Sequence, residues 1–127
     1  MKRILLIEDE AQHILLVKIR LEILGYAVAA AQNGADGIKA AAEFKPDLIL
    51  LDLLLPDMEP GALIKSLRAA PGARQVPVIA FSALDAFEIR RRGLAGKLSD
   101  FIQKPYETSE LAEKIGKFLG KPVPPRP

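Results

Sequence analysis

The 127-residue chain contains no cysteine, no long apolar run and little net charge. Without cysteine, a disulfide framework and a zinc–thiolate site are both excluded. The apolar runs are much shorter than the roughly 20 residues that a membrane-spanning helix needs. A formal net charge of +2, with basic residues mostly interspersed among acidic ones, gives no argument for nucleic-acid binding. These features predict a cytoplasmic protein with no membrane segment and no direct contact with nucleic acid.

What is present is typical of one globular domain. Half of the residues are hydrophobic and 27% are charged, and the length is sufficient to bury a single core without disulfides or structural metals. We expect this domain to cover residues 1–120. The remaining residues, 121–127, include four prolines, which exclude a helix or a central strand. We therefore predict that they form a disordered tail or a linker.

Short apolar runs alternate five times with longer segments of helical periodicity, which is typical of a parallel sheet with helices on both faces. The predicted strands are residues 3–7, 26–30, 47–51, 76–81 and 100–103. The predicted helices are residues 11–24, 35–44, 61–69, a short helix from residue 85, and 108–119 with Thr108 as its cap. Right-handed crossovers then favour an α/β fold, a doubly wound parallel sheet with the flavodoxin-like strand order 2-1-3-4-5.

Three carboxylates follow two of these strands. Glu8 and Asp9 follow the first strand, and Asp52 follows the third. In the order 2-1-3-4-5 these strands are neighbours, and open α/β sheets bind ligands at the carboxyl ends of the strands at this switch point. Crowded carboxylates are costly unless a cation or a reaction uses them. Oxygen ligands without cysteine or paired histidine suit Mg²⁺ rather than Zn²⁺.

The ends of strands four and five add the groups that a phosphoryl-transfer site needs. Lys104 can pair with Asp52 or with a phosphate oxygen, while Ser82 can donate to another oxygen and the small Ala83 leaves access. A magnesium-bound carboxylate cluster can receive a phosphoryl group, with one carboxylate as the nucleophile that becomes an aspartyl-phosphate. All of these positions are predicted to meet at one rim of the sheet.

These motifs resemble those of the receiver domains of bacterial two-component response regulators, over residues 2–119. The matching motifs are the acidic pair Glu8-Asp9, Asp52 followed by Pro56, the pair Ser82-Ala83, and the pair Lys104-Pro105. One motif alone would be weak, but all of them in order and at family-like spacing are strong. The resemblance implies a stand-alone receiver domain with a fold like that of the chemotaxis regulators.

The resemblance also implies a role for each matching residue. Asp52 would accept a phosphoryl group from a histidine kinase or a histidine phosphotransferase. Mg²⁺ would be held by Glu8, Asp9, Asp52 and the main-chain carbonyl of Leu54. The phosphate would be bound by Ser82, Ala83 and Lys104. Phe101 would be the switch aromatic, which turns inward when Ser82 moves toward the phosphate.

The first helix carries two apolar stripes. One of them covers the sheet, and the other lies on nearly the opposite side and consists of Leu15, Leu16, Ile19 and Ile23. We call the second set the docking stripe and interpret it as a surface for the helical bundle of the kinase or phosphotransferase. Partial cover by loops would explain the stripe equally well.

The expected function is a phosphorylation-dependent switch that regulates a downstream protein effector, with no enzyme activity beyond its own phosphorylation and dephosphorylation. A monomer and a dimer are both compatible with the sequence. One alternative is a haloacid-dehalogenase-type phosphatase, but Leu54 occupies the position where that chemistry needs a second aspartate. Another is a receiver-like binding module that is never phosphorylated. His13 is interpreted as a partly exposed surface residue.

Overall fold

The computed structural model describes residues 1–120, which form a five-stranded parallel sheet with helices on both faces. The elements are β1 (Arg3–Ile7), α1 (Ala11–Ile23), β2 (Ala27–Ala31), α2 (Gly34–Phe44), β3 (Leu48–Leu51), α3 (Pro60–Ala69), β4 (Val78–Ser82), α4 (Ala86–Arg91), β5 (Asp100–Gln103) and α5 (Thr108–Leu119). The strand order is β2-β1-β3-β4-β5, so the predicted fold class and strand order are confirmed. The prediction for the proline-rich tail lies outside the described residues.

Element boundaries differ from the predicted ones where a backbone group has another partner. β2 begins at Ala27, because the Tyr26 N–H donates to the Leu21 carbonyl at the end of α1 over 3.1 Å. β4 begins at Val78 rather than at residue 76, since Pro77 has no N–H to give to a neighbouring strand. The helix α2 ends at Phe44, as expected from the proline two residues later.

The predicted cap of the last helix is wrong. Glu107 occupies the N-cap position of α5, and Thr108 is already its first helical residue. The Thr108 hydroxyl instead accepts a hydrogen bond from the Arg20 guanidinium on α1. This contact links α1 to α5 on one face of the sheet.

The central strands β1 and β3 are buried on both of their faces. Successive side chains of each strand point to opposite sides, and residues 4–7 and 48–51 are at most 1% exposed. One layer of the core lies under α1 and α5, and the other lies under α2, α3 and α4. Ile7 pairs with Leu51 in the parallel register. The residues that follow these two strands therefore leave the sheet at the same rim.

The helix α1 is apolar on two sides. Val17 and Leu21 are buried against the sheet, whereas the docking stripe defined above is 45–68% exposed. Within residues 1–120 this stripe stays exposed to solvent, and its interpretation as a docking surface stays a prediction. No helix in the same residues is long and apolar enough to cross a membrane.

Candidate metal and phosphoryl-transfer site

The three predicted carboxylates meet at the rim where β1 and β3 end. Oxygen atoms of Glu8, Asp9 and Asp52 all lie within 4.8 Å of one another. Glu8 is 1% exposed and Asp52 is 6% exposed, while Asp9 is exposed at the mouth of the cluster. Three hard oxygen donors with one side open to water fit Mg²⁺, which keeps several of its waters when it binds to protein.

Backbone hydrogen bonds fix where the two buried carboxylates leave the sheet. The Glu8 N–H donates to the Ala31 carbonyl over 3.0 Å, and the Asp52 N–H donates to the Ile7 carbonyl over 2.9 Å. The Leu54 N–H then donates to Asp52 Oδ1 over 2.9 Å. Asp52 is thus held by its own loop, and the other carboxylate oxygen, Oδ2, faces the lysine described next.

Lys104 brings a positive charge to both buried acids. Its N–H donates to the Ser82 carbonyl over 2.8 Å, which ties the end of β5 to the end of β4. Its ammonium group donates to Glu8 Oε2 over 3.2 Å and to Asp52 Oδ2 over 3.4 Å. The same nitrogen lies 5.0 Å from the centre of the Phe81 ring, at a distance typical of a cation–π contact.

The electrostatic environment shifts the pKa values of the two buried carboxyl groups in opposite directions. Burial raises the pKa of Glu8, but the neighbouring His13 and Asp52 side chains and the charge of Lys104 outweigh it and lower the pKa to about 2. Burial also raises the pKa of Asp52, and the carboxylate of Glu8 adds to this effect, against the opposing Leu54 N–H and Lys104. A cation bound beside Asp52 would therefore stabilise the ionised form that burial and Glu8 disfavour.

The predicted switch and phosphate-binding residues lie on the neighbouring strands. Ser82 is fully buried, and its Oγ accepts a hydrogen bond from the Leu84 N–H over 3.3 Å. Ala83 follows it at the rim and is exposed. Phe101 is half-buried and packs against the core layer under α2, α3 and α4. The structure thus brings Ser82 and Ala83 to the rim and leaves Phe101 within β5.

His13 belongs to the site, which the sequence interpretation missed. Its side chain is 15% exposed, and Nδ1 lies 3.6 Å from Glu8 Oε2. Its Nε2 lies 2.6 Å from the Tyr106 hydroxyl, and its ring centre lies 5.2 Å from that of Phe81. The signal in the sequence was its position in the first turn of the helix after β1, because such a turn lies over the strand ends.

Removal of Lys104 is expected to leave two buried carboxylates without their cation. We expect Lys104→Met to lower the free energy of unfolding at pH 7 by about 1–3 kcal/mol. Because the pKa of Glu8 is about 2 in the folded protein against 4.5 ordinarily, its stabilising effect is complete above pH 4.5 and is lost as the pH falls toward 2. The difference from wild type should therefore shrink over the same range.

Urea denaturation at several pH values, followed by circular dichroism, measures this difference. The matched control is Lys114→Met. The Lys114 side chain is 23% exposed, close to the 24% of Lys104, and its ammonium group lies 3.1 Å from Asp100, away from the acid cluster. Added Mg²⁺ should narrow the gap between Lys104→Met and wild type. Equal losses for the two lysine variants, independent of pH, would contradict the prediction.

Comparison with known proteins assigns the chain to a family. The family model for the response regulator receiver domain matches residues 4–116. The chain belongs to this family. The predicted family is therefore confirmed, and the chain is a receiver domain, the phosphoacceptor module of two-component signalling.

Curated relatives of this receiver domain include whole regulators. It is 33% identical over 119 residues to the DNA-binding dual master transcriptional regulator RpaA of Synechocystis sp., which covers 94% of this chain and 49% of the relative. It is 36% identical over 113 residues to the transcriptional regulatory protein HprR of Escherichia coli, with 89% and 49% covered. The receiver domain thus spans about half the length of these two relatives.

Solved structures match over nearly the whole receiver domain. The receiver domain of the sensor histidine kinase PA1611 from Pseudomonas aeruginosa, with Mg²⁺ coordinated in its active-site cleft, is 28% identical with a TM-score of 0.85; the match covers 94% of this chain and 98% of that one. The response regulator TrrA from Thermotoga maritima, in complex with Mg²⁺ and BeF, is 26% identical with a TM-score of 0.82, and 93% and 99% are covered. These structures support Mg²⁺ as the cofactor, in agreement with the acidic cluster found here.

Proposed function

We propose that Asp52 accepts a phosphoryl group from a phosphohistidine of a kinase or phosphotransferase. The observation that carries the proposal is a buried aspartate carboxylate with a lysine ammonium 3.4 Å away and two further acids within 4.8 Å. An Asp52 oxygen would attack phosphorus as the bond from phosphorus to the donor histidine nitrogen breaks. The negative charge on the transferred group would then lie beside Lys104.

The remaining parts of the site would serve this transfer. Glu8, Asp9, Asp52 and the Leu54 carbonyl would hold Mg²⁺, which neutralises phosphate oxygens when it is bound. The buried Ser82 and the small Ala83 would contact the phosphoryl group from the end of β4. The chain would catalyse only its own phosphorylation and dephosphorylation.

The switch would involve Ser82 and Phe101. The Ser82 hydroxyl now faces the Leu84 N–H, and a phosphoryl group on Asp52 would offer it a charged acceptor instead. A cavity of about 250 Å³ lies between α4 and β5, and Phe101 is among its lining residues together with Ile89 and Leu98. This space could receive the ring when it turns inward, which would change the surface that a downstream protein effector contacts.

One experiment distinguishes phosphorylation of Asp52 from the two alternative functions, a phosphatase and a binding module that is never phosphorylated. The chain is incubated with acetyl phosphate and Mg²⁺ and followed by intact mass and peptide mapping, and in parallel with beryllofluoride and Mg²⁺ by NMR. Phosphate on Asp52, with NMR shifts around Phe101, would support the proposal. Turnover of many phosphate esters would favour the phosphatase, and no response would favour a module that is never phosphorylated. A cytoplasmic location and the absence of nucleic-acid contact stay predictions.

The docking stripe on α1 is proposed as the surface for the phosphate donor. The helix begins at Ala11, two residues after Asp9, so a helical bundle that lies on the stripe would be adjacent to the acid cluster. The exposed side chains of Leu15, Leu16, Ile19 and Ile23 offer the apolar contact that such a bundle needs. A donor on this surface could bring its histidine to Asp52.

Charge on the stripe should therefore block the protein donor but not a small one. We expect Leu16→Glu and Ile19→Glu to slow phosphotransfer from a histidine kinase or phosphotransferase that labels wild type by about tenfold or more, which corresponds to about 1.4 kcal/mol. Labelling by acetyl phosphate should be unchanged. The control is Phe87→Glu, which alters an exposed aromatic on α4. Equal loss with both donors would contradict the docking proposal.

A further inference from the structure

A series of side-chain contacts connects the acid cluster to the segment before α5. His13 lies in the first turn of α1, and Tyr106 lies between β5 and α5, two residues after Lys104. The His13 Nε2 is 2.6 Å from the Tyr106 hydroxyl, and its Nδ1 is 3.6 Å from Glu8 Oε2. Both rings are mostly buried, and their centres are 5.8 Å apart.

The chemistry of the three groups determines which of them donates and which accepts in these contacts. An ionised Glu8 can only accept, so a hydrogen bond from His13 to Glu8 requires the proton on Nδ1, the nitrogen that faces it. In the neutral imidazole with this tautomer the opposite nitrogen, Nε2, is the acceptor, and the Tyr106 hydroxyl donates to it over 2.6 Å. The tyrosine keeps the proton that this requires, since burial and the nearby charge of Glu8 raise the pKa of Tyr106 to about 12.

The His13 ring is held in place by a surface that it shares with the lysine of the site. Phe81 is 1% exposed, and both the His13 ring and the Lys104 ammonium pack against it, at 5.2 Å and 5.0 Å from its centre. The His13 Nδ1 is buried and has no hydrogen bond within the described residues. Glu8 Oε2 is 3.6 Å away, slightly longer than a hydrogen bond. A shift of the carboxylate of a few tenths of an ångström would complete the contact.

We infer that His13 and Tyr106 are positioning residues, which hold the Glu8 carboxylate for Mg²⁺ and report its occupancy to the segment before α5. Groups that hydrogen-bond to a ligating carboxylate commonly change metal affinity by about 10–100-fold when they are removed. His13 can have this role only if Glu8 holds the cation, so the role rests on the function proposed above. Tyr106 would respond to Mg²⁺ because its hydroxyl contacts His13, and His13 in turn lies beside the Glu8 carboxylate.

Substitution of His13 by asparagine or by glutamine tests the roles of its two ring nitrogens separately. Asparagine places a nitrogen near the Nδ1 position and glutamine places one near Nε2. Mg²⁺ affinity is measured by calorimetry, and tyrosine fluorescence is recorded during the same titration. The chain has two tyrosines and no tryptophan, so the fluorescence reports only on Tyr26 and Tyr106. Tyr26→Phe is the control, because Tyr26 is buried under α1 and its hydroxyl has no hydrogen-bond partner among residues 1–120.

Wild type and Tyr26→Phe should show a fluorescence change on Mg²⁺ binding, and Tyr106→Phe should lose it. We expect His13→Asn to bind Mg²⁺ nearly as tightly as wild type but to lose the fluorescence response. His13→Gln should weaken Mg²⁺ binding by about tenfold. Thermal unfolding of each variant shows whether the fold is kept.

The possible failures point to different conclusions. If wild type binds neither Mg²⁺ nor beryllofluoride, the proposed function itself is wrong. If wild type binds both and His13→Gln binds Mg²⁺ equally well, the role of His13 is overturned while the proposed function stands. Equal weakening in His13→Asn and His13→Gln would also overturn it, because ring packing rather than the nitrogen that faces Glu8 would then matter.

Discussion

Asp52→Asn is expected to abolish phosphoryl labelling and, at neutral pH, to make the protein more stable. The amide is not an anionic nucleophile, so no aspartyl-phosphate can form. Its oxygen can still accept from the Leu54 N–H, which is 2.9 Å from Asp52 Oδ1 in wild type, and its NH₂ can donate to Glu8. Because a buried charge beside a second carboxylate is removed, we expect a gain of about 1–2 kcal/mol in the free energy of unfolding.

The gain should depend on pH. The raised pKa of Asp52 means that the folded protein holds the proton more tightly than the unfolded chain, whose ordinary value is 3.8. The ionised carboxylate therefore costs stability above the raised pKa, and this cost disappears as the pH falls toward 3.8. The advantage of Asp52→Asn over wild type should be largest at pH 7 and should decrease on acidification.

Intact mass after treatment with acetyl phosphate and urea denaturation at several pH values measure the two effects. The matched control is Asp57→Asn. Asp57 is exposed and accepts hydrogen bonds from the Gly34 and Ala35 N–H groups over 2.9 and 3.1 Å at the start of α2, which lower its pKa. This control should keep phosphoryl labelling and lose stability rather than gain it. Labelling of Asp52→Asn, or a loss of stability in it at pH 7, would contradict the assignment.

Phe81→Ala is expected to cause the largest loss of stability. Phe81 is 1% exposed in the core layer under α1 and α5, and its ring supports both His13 and Lys104. Truncation of a buried phenylalanine typically costs about 3–5 kcal/mol, out of a total of about 5–15 kcal/mol for a domain. A substantial fraction of the variant should therefore be unfolded under mild denaturing conditions.

Urea denaturation followed by circular dichroism tests this expectation. Phe81→Leu should lose less and stay folded, which allows Mg²⁺ binding to be measured in a variant without the aromatic ring. The control is Phe87→Ala, because Phe87 is 69% exposed on α4 and should change stability by no more than about 0.5 kcal/mol. Similar losses for the two alanine variants would contradict the described packing of β4.

The centre of the sheet could be predicted from sequence because its signal is local. Strands β1 and β3 are buried on both faces, so each must be a continuous apolar run, and the acid after each run must then lie at the rim where parallel neighbours end. The residues at which strands begin were harder to predict. The N–H of Tyr26 is taken by the end of α1 and Pro77 has none, and only the pairing of distant segments determines such details.

The sequence by itself determined the types and order of the elements and the meeting of Glu8, Asp9 and Asp52, because burial and strand direction follow from local patterns of polarity. Only the tertiary structure decided which side chains surround them. His13 and Tyr106 are 93 residues apart, and His13 interpreted alone resembled an ordinary surface residue. The packing of α1 and of the segment before α5 over the strand ends brings the two together, because a hydrogen bond between distant residues requires both to be placed within a few ångströms.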